Sequence, residues 1–316
     1  GAITVNGDLS ITGTANLYTN TFQITGNAAR NFTMAAGTTL SLGNTGNGTN
    51  VLFPLNYVTG NITLDPASTV VYQAGGAQTV SDVPHYGNLT IATDGTTKTC
   101  NGNLNVNGNL AVNGTATLSA GTTASTWNIT GNVTIDGTLN FGTTNAKTLN
   151  ITGNLVDNTG TITMTGAGLA HQLNLYGASN SITTLNTTAG SNSTVSYLAA
   201  GDQQIITTPN YQNLVINGGG AKTAIGNSTV NGVLTINNGL LQLGNFNITI
   251  QNTSATAIQG TFGSTTYIDI NGTGYVQQAV AAATSYTIPI GSNGVYAPVT
   301  ASSITGSTYL RFRTVY

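Results

Sequence analysis

Three lysines stand in one recurring setting: Thr97-Lys98-Thr99, Ala146-Lys147-Thr148 and Ala221-Lys222-Thr223, each shortly ahead of an Asn-Gly or Thr-Gly pair. Their spacing would bring Lys98, Lys147 and Lys222 to one corner of a repeating fold. There they could form a ligand-facing row, or a solvated corner that keeps edges from adhering. Tyr72, Tyr86, Tyr197 and Tyr211 also recur together; exposed, they could stack on sugar rings, and buried they would pack in a core or ladder. Asp82 and Asp94 flank His85, the one clustering of titratable side chains. Glycoside hydrolysis needs two carboxyls about one bond. However, the residue 125 positions beyond His85 is Asn210, so a second copy of the segment lacks the histidine. Most aspartates sit at turns such as Asp94-Gly95 and Asp136-Gly137, where a short side chain caps its own backbone. No catalytic residues are expected. Cys100 corresponds to Ala224 and reads as a small buried residue; His171 stands alone and Trp127 belongs to no row. Asp-rich calcium loops are absent, so neither a metal nor a cofactor is expected.

These residues must be positioned by β structure. Of 316 residues only 6 are Lys or Arg and 8 are acidic, all of them Asp, so 4% of the chain is charged, against about 25% in ordinary soluble domains. So few cations give no basic surface for nucleic acid, and the scarcity of Glu, Lys, Arg and Gln leaves no polar face for long helices. No uninterrupted apolar run is long enough for a membrane-spanning helix. The apolar fraction is 39% and the mean hydropathy +0.07, which disfavours disorder. Thr, Gly and Asn dominate what remains.

The apolar residues alternate strictly with small polar ones. In the stretch from Leu104 to Leu118, Leu104, Val106, Leu110, Val112 and Leu118 point one way and Asn and Thr the other. That is the period of a strand. Glycine pairs about every six residues are expected to supply corners with φ > 0, at Gly7, Gly13, Gly108, Gly114, Gly131, Gly137, Gly153 and Gly232. Val106, Ile129 and Ile151 open equivalent triplets at nearly equal steps. The spacing predicts an all-β, right-handed parallel β-solenoid with coils of about 22 residues. About 13 such coils, stacked at about 4.8 Å, would make a rod on the order of 60 Å long. Outward Asn and Thr would form ladders.

A longer repeat overlies the coil. Ser68-Thr69-Val70-Val71-Tyr72 returns as Ser193-Thr194-Val195-Ser196-Tyr197, and Tyr86-Gly87-Asn88-Leu89 as Tyr211-Gln212-Asn213-Leu214, both displaced by 125. The expected organisation is a solenoid over 1–270 with modules at about 68–192 and 193–270. From 271 to 316 aromatics and prolines replace the Asn-Gly rhythm, which reads as the start of a second, sandwich-like all-β segment or as a terminal cap.

The succession from Ser68 through "YGNLTI" and "GNLNVNGNL", echoed after Ser193, together with the closing "YTIPIGSNGVYAPVT", resembles the repeats of large secreted surface proteins of the Bacteroidota. That resemblance implies export by the type IX system, an extracellular and cell-surface location, and action as an adhesin or filament. No C-terminal sorting domain of that family stands in this sequence, and a piece of a longer polypeptide is expected. The function expected is therefore non-enzymatic: a rigid extracellular rod or filament. Its expected partners are copies of itself, neighbouring domains or surface glycans, with no nucleic acid and no membrane span. A polysaccharide lyase or hydrolase on the same solenoid is one alternative. An ice- or crystal-binding solenoid is another, prompted by Thr-x-Thr steps such as Thr97-Lys98-Thr99 and Thr161-Ile162-Thr163. A flat threonine array, however, needs the step at one position in consecutive coils, and the sequence shows no such recurrence.

Overall fold

A computed structural model of the chain describes residues 1–92, 95–187, 191–206 and 210–314. The alternating segments form short strands, nearly all joined in parallel, and they stack as a β-solenoid of about 13 turns. The chain divides into two compact units, Gly1–Met164 and Thr165–Tyr316.

In the first unit each regular coil contributes one strand to each of three faces. One face stacks Asn16–Tyr18, Thr39–Leu42, Thr69–Tyr72, Asn88–Ile91, Leu110–Val112, Val133–Ile135 and Leu155–Asp157. A second stacks Gln78–Val80, Thr97–Cys100, Thr117–Ala120, Thr138–Asn140 and Thr161–Met164, and a third His85–Tyr86, Leu104–Val106, Ser125–Ile129 and Lys147–Ile151. Period two decides which side chains are sealed: Leu110 and Val112 are buried and Ala111 between them is half-buried. On the first face the inner row runs Leu17, Leu40, Val70, Leu89, Leu110, Val133, Leu155 in direct register. The coils along that row differ in length: the step from Leu40 to Val70 is half as long again as the step from Val70 to Leu89. The period expected from the sequence is thus an average. Register is held by the inward side chains, because a slip of one residue would turn every apolar group outward; the surplus residues leave at corners.

In the second unit, Gln172–Leu175, Thr194–Tyr197, Asn213–Ile216, Leu234–Ile236 and Ile258–Gly260 form one parallel face. Gln203–Ile205, Ala221–Ala224, Leu240–Gln242, Ile268–Asp269 and Ile290–Ser292 form another, and Asn210–Tyr211, Ser228–Val230, Ile248–Ile250 and Val276–Ala279 the third. The change of texture at 271 does not interrupt the stack, since Val276 lies on Ile248 and Ile290 on Ile268, both parallel. Beyond those strands the chain turns back on itself. Val295–Tyr296 pairs antiparallel with Ile290–Ser292, Val299–Ala301 with Tyr286–Ile288, and Tyr309–Phe312 with Val276–Ala279. Among the described residues no helix is long and apolar enough to cross a membrane.

Candidate functional site

The three lysines face inward. Lys98 and Lys222 are 0% exposed and Lys147 is 3% exposed. Lys98 lies in the inner row between Gln78 and Leu118, and Lys222 between Gln203 and Leu241. The ammonium groups are taken up by the chain. Lys98 Nζ donates to Ala74 O (2.7 Å), Gly76 O (2.9 Å) and Thr96 Oγ1. Lys222 Nζ donates to Ala199 O (2.7 Å), Gly201 O (2.6 Å) and Gly219 O. Lys147 Nζ donates to Thr144 O (2.6 Å) and Asn145 O (3.1 Å). The expectation of a ligand-facing row, and the alternative of a solvated corner, are both corrected. These side chains run through the core and draw corner carbonyls inward, satisfying acceptors that burial would otherwise strip of water. Burial holds the Lys147 ammonium below the usual lysine range; it does the same for Lys222, where nearby Asp202 opposes it. The sequence carried the signal: Lys98 stands two residues before Cys100 and Lys147 two before Leu149, on the buried parity of their strands.

The recurring tyrosines are likewise interior. Tyr72, Tyr86, Tyr197 and Tyr211 are 0% exposed, which removes them as stacking platforms for sugars. Each module joins its pair hydroxyl to hydroxyl, Tyr72 to Tyr86 at 2.7 Å and Tyr197 to Tyr211 at 2.8 Å. The same four groups clamp a turn: Ser81 N–H donates to the Tyr72 hydroxyl while Tyr86 donates to Ser81 O. In the other module Ile206 N–H and O are held in the same way. Desolvation pushes all four phenols above their ordinary value. Gln78 completes the first set, its amide donating to Leu42 O and Val51 O and accepting from Ala74 N–H. Gln203 repeats this with Leu175 O, Gly177 O and Ala199 N–H. What the duplication copies is therefore a buried polar clamp of two tyrosines, a glutamine and a lysine.

The glycine corners need a different explanation from the expected one. Gly13 and Gly114 do have positive φ (68° and 52°), whereas Gly7, Gly108, Gly131, Gly137, Gly153 and Gly232 do not. Crowding by the preceding coil excludes a side chain at most of these. A Cβ on Gly131 would meet Gly108 O at 2.4 Å and Asn109 Oδ1 at 2.6 Å, and one on Gly153 would meet Gly131 O at 2.4 Å. Gly108, Gly137 and Gly232 are equally hemmed in, and of the six without positive φ only Gly7 has open space. At Gly137 the crowding atoms are the Ala116 and Gly114 carbonyls, whereas at Gly108, Gly131, Gly153 and Gly232 they include the Oδ1 of a ladder in which each Asn side chain accepts the next coil's backbone N–H. Asn88 Oδ1 takes Asn109 N–H, Asn109 takes Asn132 and Asn132 takes Asn154, each at 2.8 Å. A second, outward amide ladder joins Asn105, Asn128 and Asn150.

Among the described residues the carboxylates do not converge. Asp8, Asp65, Asp136, Asp157, Asp202 and Asp269 each accept a backbone or amide N–H from the chain itself. Burial raises the Asp269 carboxyl above the usual range, although the Gln242 amide opposes this. Asp82 is exposed beside Leu52, Thr79 and Asn101, while His85 borders a separate concavity with Thr59, Ile62 and Asn107. Asp94 lies outside the described residues. Cys100 is buried, its thiol pushed up to about 11 by desolvation. His171 is buried with Nε2 3.1 Å from Thr165 O, and Trp127 is buried with its indole N–H on Gly102 O. Among the described residues no group of three His, Cys or Asp side chains could hold a metal.

One surface array was hidden from the sequence. On the second face of the first unit, Thr97, Thr117, Thr138 and Thr161 stand in direct register across four coils. Two residues along, Thr79, Thr99, Ser119, Asn140 and Thr163 form a parallel rank. The Thr-x-Thr step itself does not recur in consecutive coils, because Ser119 and Asn140 stand between Thr99 and Thr163; what the register reveals is one threonine rank beside a mixed Thr/Ser/Asn rank. The steps from Thr97 to Thr117, to Thr138 and to Thr161 are all unequal, so a fixed period misses them.

Comparison with protein-family models, with curated proteins and with solved structures finds no match to this chain.

Proposed function

We propose that this chain is a non-enzymatic, extracellular structural and adhesive protein that serves as a stiff rod or filament at a cell surface. The observation that carries this reading is where the chemistry-bearing side chains go. The three lysines and the four recurring tyrosines are enclosed in the solenoid and bound to its own backbone. Six aspartates hold N–H groups, and the exposed Asp82 and His85 border separate concavities. Reactive groups used in this way stiffen a scaffold and leave little to perform hydrolysis. Secretion by the type IX route and self-association belong to the same proposal and rest on the sequence resemblance. Electron micrographs of the purified chain should show rods or filaments, and an activity screen on plant and algal glycans should be blank. Turnover lost in Asp82→Ala would overturn the reading in favour of a lyase or hydrolase.

The threonine array favours a second reading, an ice- or crystal-binding face. Two ranks of short polar side chains spaced about 4.8 Å between coils and about 6.7 Å along the strand make a flat, regular lattice. Thermal hysteresis in the purified chain that disappears in Thr117→Lys/Thr138→Lys would support it; freezing identical to a control protein would reject it.

A further inference from the structure

With all three lysines enclosed, the remaining Lys or Arg side chains are Arg30, Arg311 and Arg313. Two of the three stand on a single strand, Tyr309–Phe312 and its continuation, at alternate positions with Tyr309, and the side chains of Tyr309, Arg311 and Arg313 are all exposed. The strand lies antiparallel on Val276–Ala279, which sets Arg311 beside Gln277. Arg311 is held in place: its Nε donates to Gln277 Oε1 at 2.8 Å and its guanidinium carbon lies 4.8 Å from the centre of the Tyr275 ring. Those contacts use one of five N–H donors, so the terminal fork stays available for a planar or tetrahedral anion. Because the side chain is already ordered, binding sacrifices little rotamer freedom. A concavity of about 350 Å³ opens here, lined by Thr273, Tyr275, Arg311, Phe312 and Arg313. On the same exposed side of the strand, the Tyr309 hydroxyl donates to Gln251 Oε1 at 2.6 Å.

We infer that this guanidinium, tyrosine and amide patch binds acidic polysaccharide, with Arg311 and Arg313 receiving carboxylate or sulfate groups and Tyr275, Tyr309 and Thr273 receiving the sugar ring and its hydroxyls. The chemistry points to a glycan over other polyanions. Two cations bracketed by aromatic, amide and hydroxyl groups suit an anion spaced along a hydroxylated chain, whereas nucleic acid needs a wider positive field. The inference rests on the adhesive part of the proposed function and names its ligand class.

The test is binding of the purified chain to polygalacturonate, to dextran sulfate, to neutral dextran and to single-stranded oligonucleotide at low and at high salt, with Arg313→Ala and Arg311→Lys compared. The expected result is retention on at least one acidic glycan, weakened by salt, at least tenfold lower in Arg313→Ala and several-fold lower in Arg311→Lys, with unchanged melting. Preference for polygalacturonate assigns a carboxylate partner, and preference for dextran sulfate a sulfate partner. Equal binding to neutral dextran, tighter binding to the oligonucleotide, or unaltered binding in both variants would overturn the inference. Failure here together with rods in the micrographs would reject this site and keep the rod, while globular particles that still bind acidic glycan would reject the rod and keep this site.

Discussion

Replacing Lys222 by Met keeps the aliphatic stem and deletes the ammonium. Three carbonyls then lose a donor, those of Ala199, Gly201 and Gly219. Ala199 is buried, and leaving its carbonyl unpaired costs about 1–3 kcal/mol. Gly201 is exposed and Gly219 half-buried, so water can replace much of what the other two lose, at roughly 0.5–1 kcal/mol each. Relief of the buried charge offsets part of this, and the net expectation is about 2–4 kcal/mol of destabilisation. For a unit of this size the melting transition should fall by roughly 5–15 °C in differential scanning calorimetry. Thr223→Ala, one residue away and outward, provides the control and should move it by no more than about 2 °C. If Lys222→Met melts with the parent, the ammonium contributes no more than a surface group would, and the buried clamp is the wrong account of these lysines.

The remaining tests address other parts of the same interior. Amine-reactive reagents should leave Lys98, Lys147 and Lys222 unmodified in the native protein and label all three after denaturation, as read by peptide mass spectrometry. Gly131→Ala should lower stability by about 1–3 kcal/mol through overpacking against the Gly108 carbonyl, whereas Gly7→Ala, with open space and ordinary φ, should be neutral or stabilising by less than about 1 kcal/mol. Alkaline unfolding should be steep. The four raised phenols keep their protons when folded and lose them when unfolded. Stability is therefore intact below about pH 10 and falls above it by up to about 1.4 kcal/mol per pH unit for each tyrosine. Cys100, pushed up to about 11, adds a loss that begins near pH 9. Lys147 and Lys222, held low, act in the opposite sense up to about pH 10.4. Exposed tyrosines ionise at about pH 10, but phenolate absorbance that accounts for all 13 tyrosines there with the circular dichroism unchanged would contradict the burial of these rings.

The architecture was legible because one force writes it plainly: alternate residues such as Leu110 and Val112 must be apolar to line the interior, and the recurrence from Val106 to Ile129 to Ile151 exposes the coil. The duplicated module was visible too, through Tyr72, Tyr86 and their counterparts. Three things were obscured. Lysine reads as exterior by habit, and only its parity with Cys100, Leu149 or Ala224 reveals that it points inward. Glycine reads as a positive-φ residue, although at Gly131 and Gly153 the constraint is a neighbouring coil that no local sequence displays. The threonine rank escaped because corners of unequal length disguise register that only pairing reveals. The arginine patch needed the returning strand, whose antiparallel partner lies well upstream: Arg311 meets Gln277 only because the chain reverses between them.

The enclosure of the lysines has a consequence for proteolysis. A trypsin-like protease cleaves after Lys or Arg and must draw an extended, accessible segment into its cleft. With Lys98, Lys147 and Lys222 sealed, it finds entry only after Arg30, in an exposed turn, and after Arg311 and Arg313 near the far end. A digest should therefore cut after Arg30 and after Arg311 or Arg313 and leave the stretch between Arg30 and Arg311 as one fragment. The same internal fastening that holds the corners also hides the peptide bonds that a scavenging enzyme would read.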